Sequence, residues 1–192
     1  MIQQLYTYQQ SSTLRLLQLL INSFKKYNSN ELDATASLQA TLDTCIAAYV
    51  KNGKADKVSR FESLKAELIT ALRGVNPYTL EKVQLRRNEM IKNTAFKILQ
   101  NAEDIIRLEL QEINEKIQQA QDLISQILLA ALQSGLILLI DLQNLKTHAT
   151  IEELWKQIGN DPNFTIAHKK VKLLVSGTDV VIFIDQIISA LK

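Results

Sequence analysis

Residues 99–131, LQNAEDIIRLELQEINEKIQQAQDLISQILLAA, carry apolar side chains at Leu99, Ala102, Ile106, Leu110, Ile113, Ile117, Ala120, Ile124, Ile127 and Ala131. The steps are 3, 4, 4, 3, 4, 3, 4, 3 and 4, which is the period of a helix and not of a strand. Apart from a 4-4 stutter near Ile106, this is the heptad seam of a coiled coil. Working outward, Pro77 suits the first turn of a helix, no proline follows until Pro162, and Gly135 is the only glycine before Gly159. A helix unbroken over 77–146 would be a rod of roughly 105 Å. Other helices of a short chain cannot cover such a rod, so it either breaks at Ser134-Gly135 or turns its seam to another copy.

Upstream, Asn28-Ser29-Asn30, Asn52-Gly53 and Gly74 to Pro77 mark breaks between segments of helical period. Leu5, Leu16, Leu17, Leu20, Ile21 and Phe24 line the first segment. Asn30 is the expected N-cap of the second, which carries Leu38, Leu42, Ile46 and Tyr49. Val58, Phe61, Leu64, Leu68 and Leu72 line the third. Downstream, Thr150-Ile151-Glu152-Glu153 matches a capping box opening a helix with Leu154, Trp155 and Ile158. Two further segments follow, one with Ile166, Val171, Leu174 and Val175, the other after Thr178. Residues 180–184, VVIFI, read as either strand or helix, and the spacing through Ile187, Ile188 and Leu191 favours helix.

The expected fold is all-α. It comprises an N-terminal three-helix unit (1–75), a long central coiled-coil-like helix or helical hairpin (76–146) and short C-terminal helices (147–192). Composition agrees. The 192 residues include 30 Leu and 21 Ile, against 8 Val, 5 Gly and 2 Pro, which excludes collagen-like and Gly- or Pro-rich disordered classes.

Charge narrows the partners. Lys and Arg (22) nearly balance Asp and Glu (20), so nucleic acid is not an expected partner. The best basic cluster, Arg86-Arg87 with Lys92 and Lys97, is interleaved with Glu81 and Glu89 and reads as a solvated helix face. Cys45 is the single cysteine, so no intrachain disulfide forms, and its apolar neighbours mark it as buried. The first residues lack a basic stretch ahead of an apolar run, so a cytoplasmic location is expected.

Residues 123–142 hold fourteen apolar residues of twenty, close to the length of a membrane span. Ser125, Gln126, Gln133, Ser134, Gly135 and Asp141 interrupt them, which favours a buried helix, with a conditionally inserting hairpin as the alternative. The acidic ladder Glu103, Asp104, Glu109, Glu112 and Glu115 lacks the Glu-x-x-His pairs of helical di-metal sites and reads as flank charges of the seam. His148 is expected in a connector and His168 beside Lys169 and Lys170 facing solvent. Glycine-rich phosphate loops and nucleophile elbows are absent from the sequence.

No catalytic, cofactor-binding or metal-ligating residue is therefore expected. The expected function is a non-catalytic helical interaction or assembly protein, a homo-oligomer or a partner of another helical protein. Its expected interface is the seam: Leu99, Ile106, Leu110, Ile113, Ile117, Ile124 and Ile127. A membrane-active helical protein with 123–142 conditionally exposed is the alternative, and an enzyme or ligand-binding bundle with a site in its C-terminal half is a third reading.

Overall fold

The computed structural model describes residues 5–139, 142, 145 and 147–190. Within them the chain is all-α, with helices α1 (Tyr6–Asn28), α2 (Ala34–Lys51), α3 (Ala55–Leu72), α4 (Arg87–Gln133), α5 (His148–Asn160), α6 (Thr165–Leu174) and α7 (Gly177–Ala190). The only β pairing among the described residues is an isolated bridge between Val75 and Lys82. VVIFI is helical, part of α7.

Helix ends follow from local chemistry. After α1, Asn30 takes a left-handed conformation (φ 52°); its N–H donates to the Tyr27 carbonyl, and the Glu31 N–H donates to the Lys26 carbonyl. That is a Schellman closure, so Asn30 ends α1 and does not open α2. The same closure ends α4 at Gly135 (φ 75°), where the Leu136 N–H donates to the Ala131 carbonyl. The central helix thus stops at the expected Ser134-Gly135 break.

Its start differs from expectation. Pro77 lies in a turn, and α4 begins ten residues later. The Asn76 side chain accepts from the Tyr78 N–H (2.9 Å), the Asn76 N–H donates to the Glu81 carbonyl and the Val83 N–H to the Gly74 carbonyl. These bonds close a loop that competes successfully with helix. The 47 residues of α4 therefore span about 70 Å. At α5 the capping box is Thr147 with Thr150, three residues before the expected one, so α5 starts at His148.

The chain forms two compact units, residues Ser12–Leu110 (the first unit) and residues up to Ser11 with those from Gln111 onward (the second). This differs from the three consecutive segments expected, because α1 and α4 each supply residues to both units. In the first unit α2 packs on α3. Its core joins Leu16, Leu20, Leu38, Leu42, Cys45, Tyr49, Phe61 and Leu68 to the α4 residues Ile98, Leu99, Ala102 and Ile106. In the second, α5 packs on α6 and α7. There Ile113, Ile117, Ala120, Ile124, Ile127 and Ala131 of α4 join Trp155, Ile158, Val171, Phe183, Ile184 and Ile188.

The seam is therefore filled from within the chain. Leu99 and Ile106 lie in the first core and Ile113, Ile117, Ile124 and Ile127 in the second, leaving no apolar strip along α4 for another copy. Leu110 is only half-buried. The position the sequence reading gave it belongs to Glu109, which lies three residues after Ile106 and four before Ile113, on the seam itself. Nor do the described residues of 123–142 form one continuous helix. Helix α4 ends inside them, and Ile124, Ile127, Leu128, Ala131, Ile137 and Leu142 are buried in the second core, with Ile140 and Asp141 outside the described residues. No single helix among the described residues is long and apolar enough to cross a membrane.

Candidate functional site

The connector between α3 and α4, residues 73–86, has the most unusual surface. Leu80 is 76% exposed and Leu85 85% exposed. Leu80 and Arg86 both sit at φ 61°, a conformation that crowds the Cβ of a bulky L residue. The connector is firmly held despite its exposed tip. The Tyr78 hydroxyl donates to Glu67 Oε2 (2.9 Å), and Lys97 Nζ lies 3.7 Å from the centre of the Tyr78 ring. Partial burial and then the Glu67 carboxylate push the Tyr78 phenol up to about 12. The Arg87 guanidinium donates to the Leu72 carbonyl, capping α3.

Three members of the expected basic face thus have structural partners. Arg87 holds α3, Lys97 holds Tyr78, and Lys92 Nζ donates to Asn30 Oδ1 (2.7 Å). Arg86 lies 3.9 Å from Glu89. Between the connector and the start of α4 lies a shallow groove of about 530 Å³, lined by Asn76, Tyr78, Val83, Arg86, Met90 and Asn93 among others.

A larger cleft, about 710 Å³, lies in the second unit between the starts of α5 and α7. His148, Glu152, Trp155, Lys156 and Lys172 line one part of it and Ser176, Gly177, Thr178 and Val181 another. Glu152 pairs with Lys156 (3.2 Å), so its wall carries both signs. The cleft mixes polar and apolar lining, and Glu152 is the one carboxylate among its lining residues, short of the convergent carboxylates the ligand-binding reading requires.

The remaining buried polar groups build the fold. Cys45 is fully buried, and loss of water pushes its thiol up to about 12, far from a reactive thiolate. His168 is buried, not solvent-facing as expected. Its ring stacks on Trp155 (4.6 Å between centroids), and a Cβ at Gly159 would come within 2.5 Å of it, so only glycine leaves room there. Burial, then the nearby Lys172 charge, pushes its imidazole below the usual value.

Glu109 is buried rather than a flank charge. Lys54 donates to its Oε1 and Lys57 Nζ lies 3.2 Å from its Oε2, with the buried Tyr49 hydroxyl beside it. Burial acts to raise the carboxyl. The hydrogen bond from Lys54, the neighbouring Tyr49 hydroxyl and both lysine charges outweigh it, holding Glu109 below the usual carboxylate range. The same burial and carboxylate drive the Tyr49 phenol strongly upward. Elsewhere on the ladder, Glu103 pairs with Arg107 at the surface (2.6 Å), as expected of flank charges.

Asp179, which the sequence reading did not single out, is fully buried. It accepts from the Tyr6 N–H (2.8 Å), the Thr7 N–H (3.2 Å), the Thr7 hydroxyl (2.6 Å) and the Ser176 hydroxyl (3.1 Å). Ser176 in turn accepts from the Asp179 N–H, a side-chain N-cap at the start of α7. One carboxylate thus meets the positive ends of two helices, α7 and α1.

Among the described residues no group of three or more His, Cys, Asp and Glu is placed to hold a metal ion. No protein family, curated protein or solved structure matches this chain.

Proposed function

We propose that the protein is a non-catalytic helical assembly protein that self-associates through the connector 73–86, with Leu80 and Leu85 as its contact side chains. The seam expected to make that contact is covered by the chain's own helices, so the reading rests on an exposed surface instead. The observation that carries the reading is Leu80, an exposed leucine in a left-handed conformation. Glycine or asparagine would fill that position with less strain, and nothing inside the fold benefits from a leucine there. A side chain held out at such a position gains its value from burial against something else. Leu85 and the adjoining groove supply more apolar surface within the same connector.

Light scattering of the full chain at micromolar concentration tests this. The wild type is expected at a multiple of 21.7 kDa. Leu80→Asn with Leu85→Ser is expected to scatter as a 21.7 kDa monomer while unfolding no earlier, since asparagine accepts the left-handed conformation. A monomeric wild type, or an assembly that the double substitution leaves intact, overturns the reading.

A further inference from the structure

Helix α6 is apolar on two opposite sides. His168, Val171 and Val175 face the second core, as a short helix on the edge of a bundle requires. Ile166 (72% exposed) and Leu173 (86% exposed) lie on the other side. They are seven residues apart, so they stand within about 20° of each other on the helix, directly away from the buried face. Lys169 and Lys170 flank this ridge, one on each side, and Lys172 is also exposed. Helix α6 contains no acidic residue. The acids nearest in sequence are Asp161, at the turn before α6 where it accepts from the Asn163 N–H, and Asp179, which is buried with its four donors. On the neighbouring α5, Glu152 pairs with Lys156.

We propose that α6 seats the protein on the surface of an anionic lipid bilayer, lying in the plane of the headgroups with Ile166 and Leu173 entering the acyl boundary and Lys169 and Lys170 meeting lipid phosphates. Charge complementarity and shape select this occupant. The ridge is convex, two side chains deep, with cations on both shoulders at the reach of a lysine stem. A soft interface accepts that shape: the apolar tips sink while the ammonium groups stay at headgroup level. A protein partner for the same ridge would have to supply an apolar groove edged with acids. The contact is small, so it gives weak, reversible and salt-sensitive binding in place of insertion. The ridge shares no residue with the connector 73–86, so this inference stands or falls independently of self-association there.

Co-sedimentation of the full-length protein with vesicles tests it, using phosphatidylcholine alone and phosphatidylcholine containing phosphatidylserine. Binding is expected only to the serine-lipid vesicles and is expected to weaken with added salt. Lys169→Gln with Lys170→Gln is expected to lower the partition coefficient about 25-fold, near fivefold per lysine. Ile166→Ser with Leu173→Ser is expected to abolish detectable binding. All four side chains project into water, so unchanged Trp155 fluorescence serves as the check that the second unit remains folded. The proposal is overturned by equal binding to both vesicle types, by no binding to either, or by binding that survives both pairs of substitutions. Retention on immobilised poly-glutamate without vesicle binding would also overturn it, pointing to an acidic protein as the partner of this ridge.

Discussion

Asp179→Ala is expected to destabilise the second unit by roughly 3–5 kcal/mol, the largest effect of any single polar substitution in the chain. The carboxylate accepts from four donors, two of them the first backbone N–H groups of α1. Alanine leaves these partly buried donors without their acceptor and removes the negative charge from two helix ends at once. Asp179→Asn keeps an acceptor of similar shape and is expected to cost about half as much. Trp155, the single tryptophan, belongs to the same core, so its fluorescence through a urea titration reads this unit directly. Faster amide exchange at Tyr6 and Thr7 should accompany the loss. An Asp179→Ala protein with an unshifted urea midpoint would show that the α1 end is held by other contacts.

The buried carboxylate of the first unit behaves in the opposite way to its neighbours on the ladder. Removing Lys54 and Lys57 together, as Lys54→Met with Lys57→Met, is expected to cost about 3–5 kcal/mol, because an unpaired carboxylate stays buried on the seam. Glu109→Ala is expected to cost less, about 2 kcal/mol, since both lysine side chains retain some exposure and their stems can carry the charge to water. The dependence on pH separates the two cases. In the wild type the folded carboxyl lies below its ordinary value of 4.5, so the folded state binds fewer protons than the unfolded one. The stabilisation is complete above 4.5 and is lost as pH falls through that value toward the folded one. Without the lysines burial, the largest influence, is opposed only by the neighbouring Tyr49 hydroxyl, so the folded carboxyl rises and acidification then stabilises the fold. Urea midpoints followed by circular dichroism between neutral and acid pH should therefore slope in opposite senses for the two proteins. Parallel slopes would mean that Glu109 reaches water.

These two carboxylates also mark where sequence reading stops. The seam from Leu99 to Ala131 was legible because burial along a helix repeats with the helix, and the same rule placed the stops at Gly53, Gly74 and Gly135. It could not say what fills the seam, since covering residues such as Leu38, Phe61, Trp155 and Phe183 come from distant parts of the chain. Glu109 satisfied the seam's spacing as well as Leu110 did. Its partners lie 55 and 52 residues away, on and just before α3, and polarity alone argued for the surface. Asn30 has the chemistry of both an N-cap and a left-handed stop, and only backbone geometry decides between them. Asn76 and Pro77 looked like a helix start until the side-chain hydrogen bond to Tyr78 closed the loop. His168 looked solvated beside two lysines, yet Gly159 opens a slot for its ring against Trp155.

The candidate contact surfaces were hidden for a related reason. Apolar residues on a helical pattern are assigned to a core by default, and Ile166 and Leu173 fit such a pattern. Leu80 fits none, and its backbone conformation is invisible in a string of letters. With the seam occupied, these are among the apolar residues left exposed.

Amide hydrogen exchange followed by mass spectrometry across a dilution series puts both halves of this account in a single experiment. Protection of the amides from Leu99 to Ala131 is expected to stay the same at every protein concentration, because intrachain cores cover them, while amides of 78–86 exchange faster as assemblies dissociate. Protection along Leu99–Ala131 that collapses on dilution, with the connector unaffected, would mean that a second copy covers the seam after all.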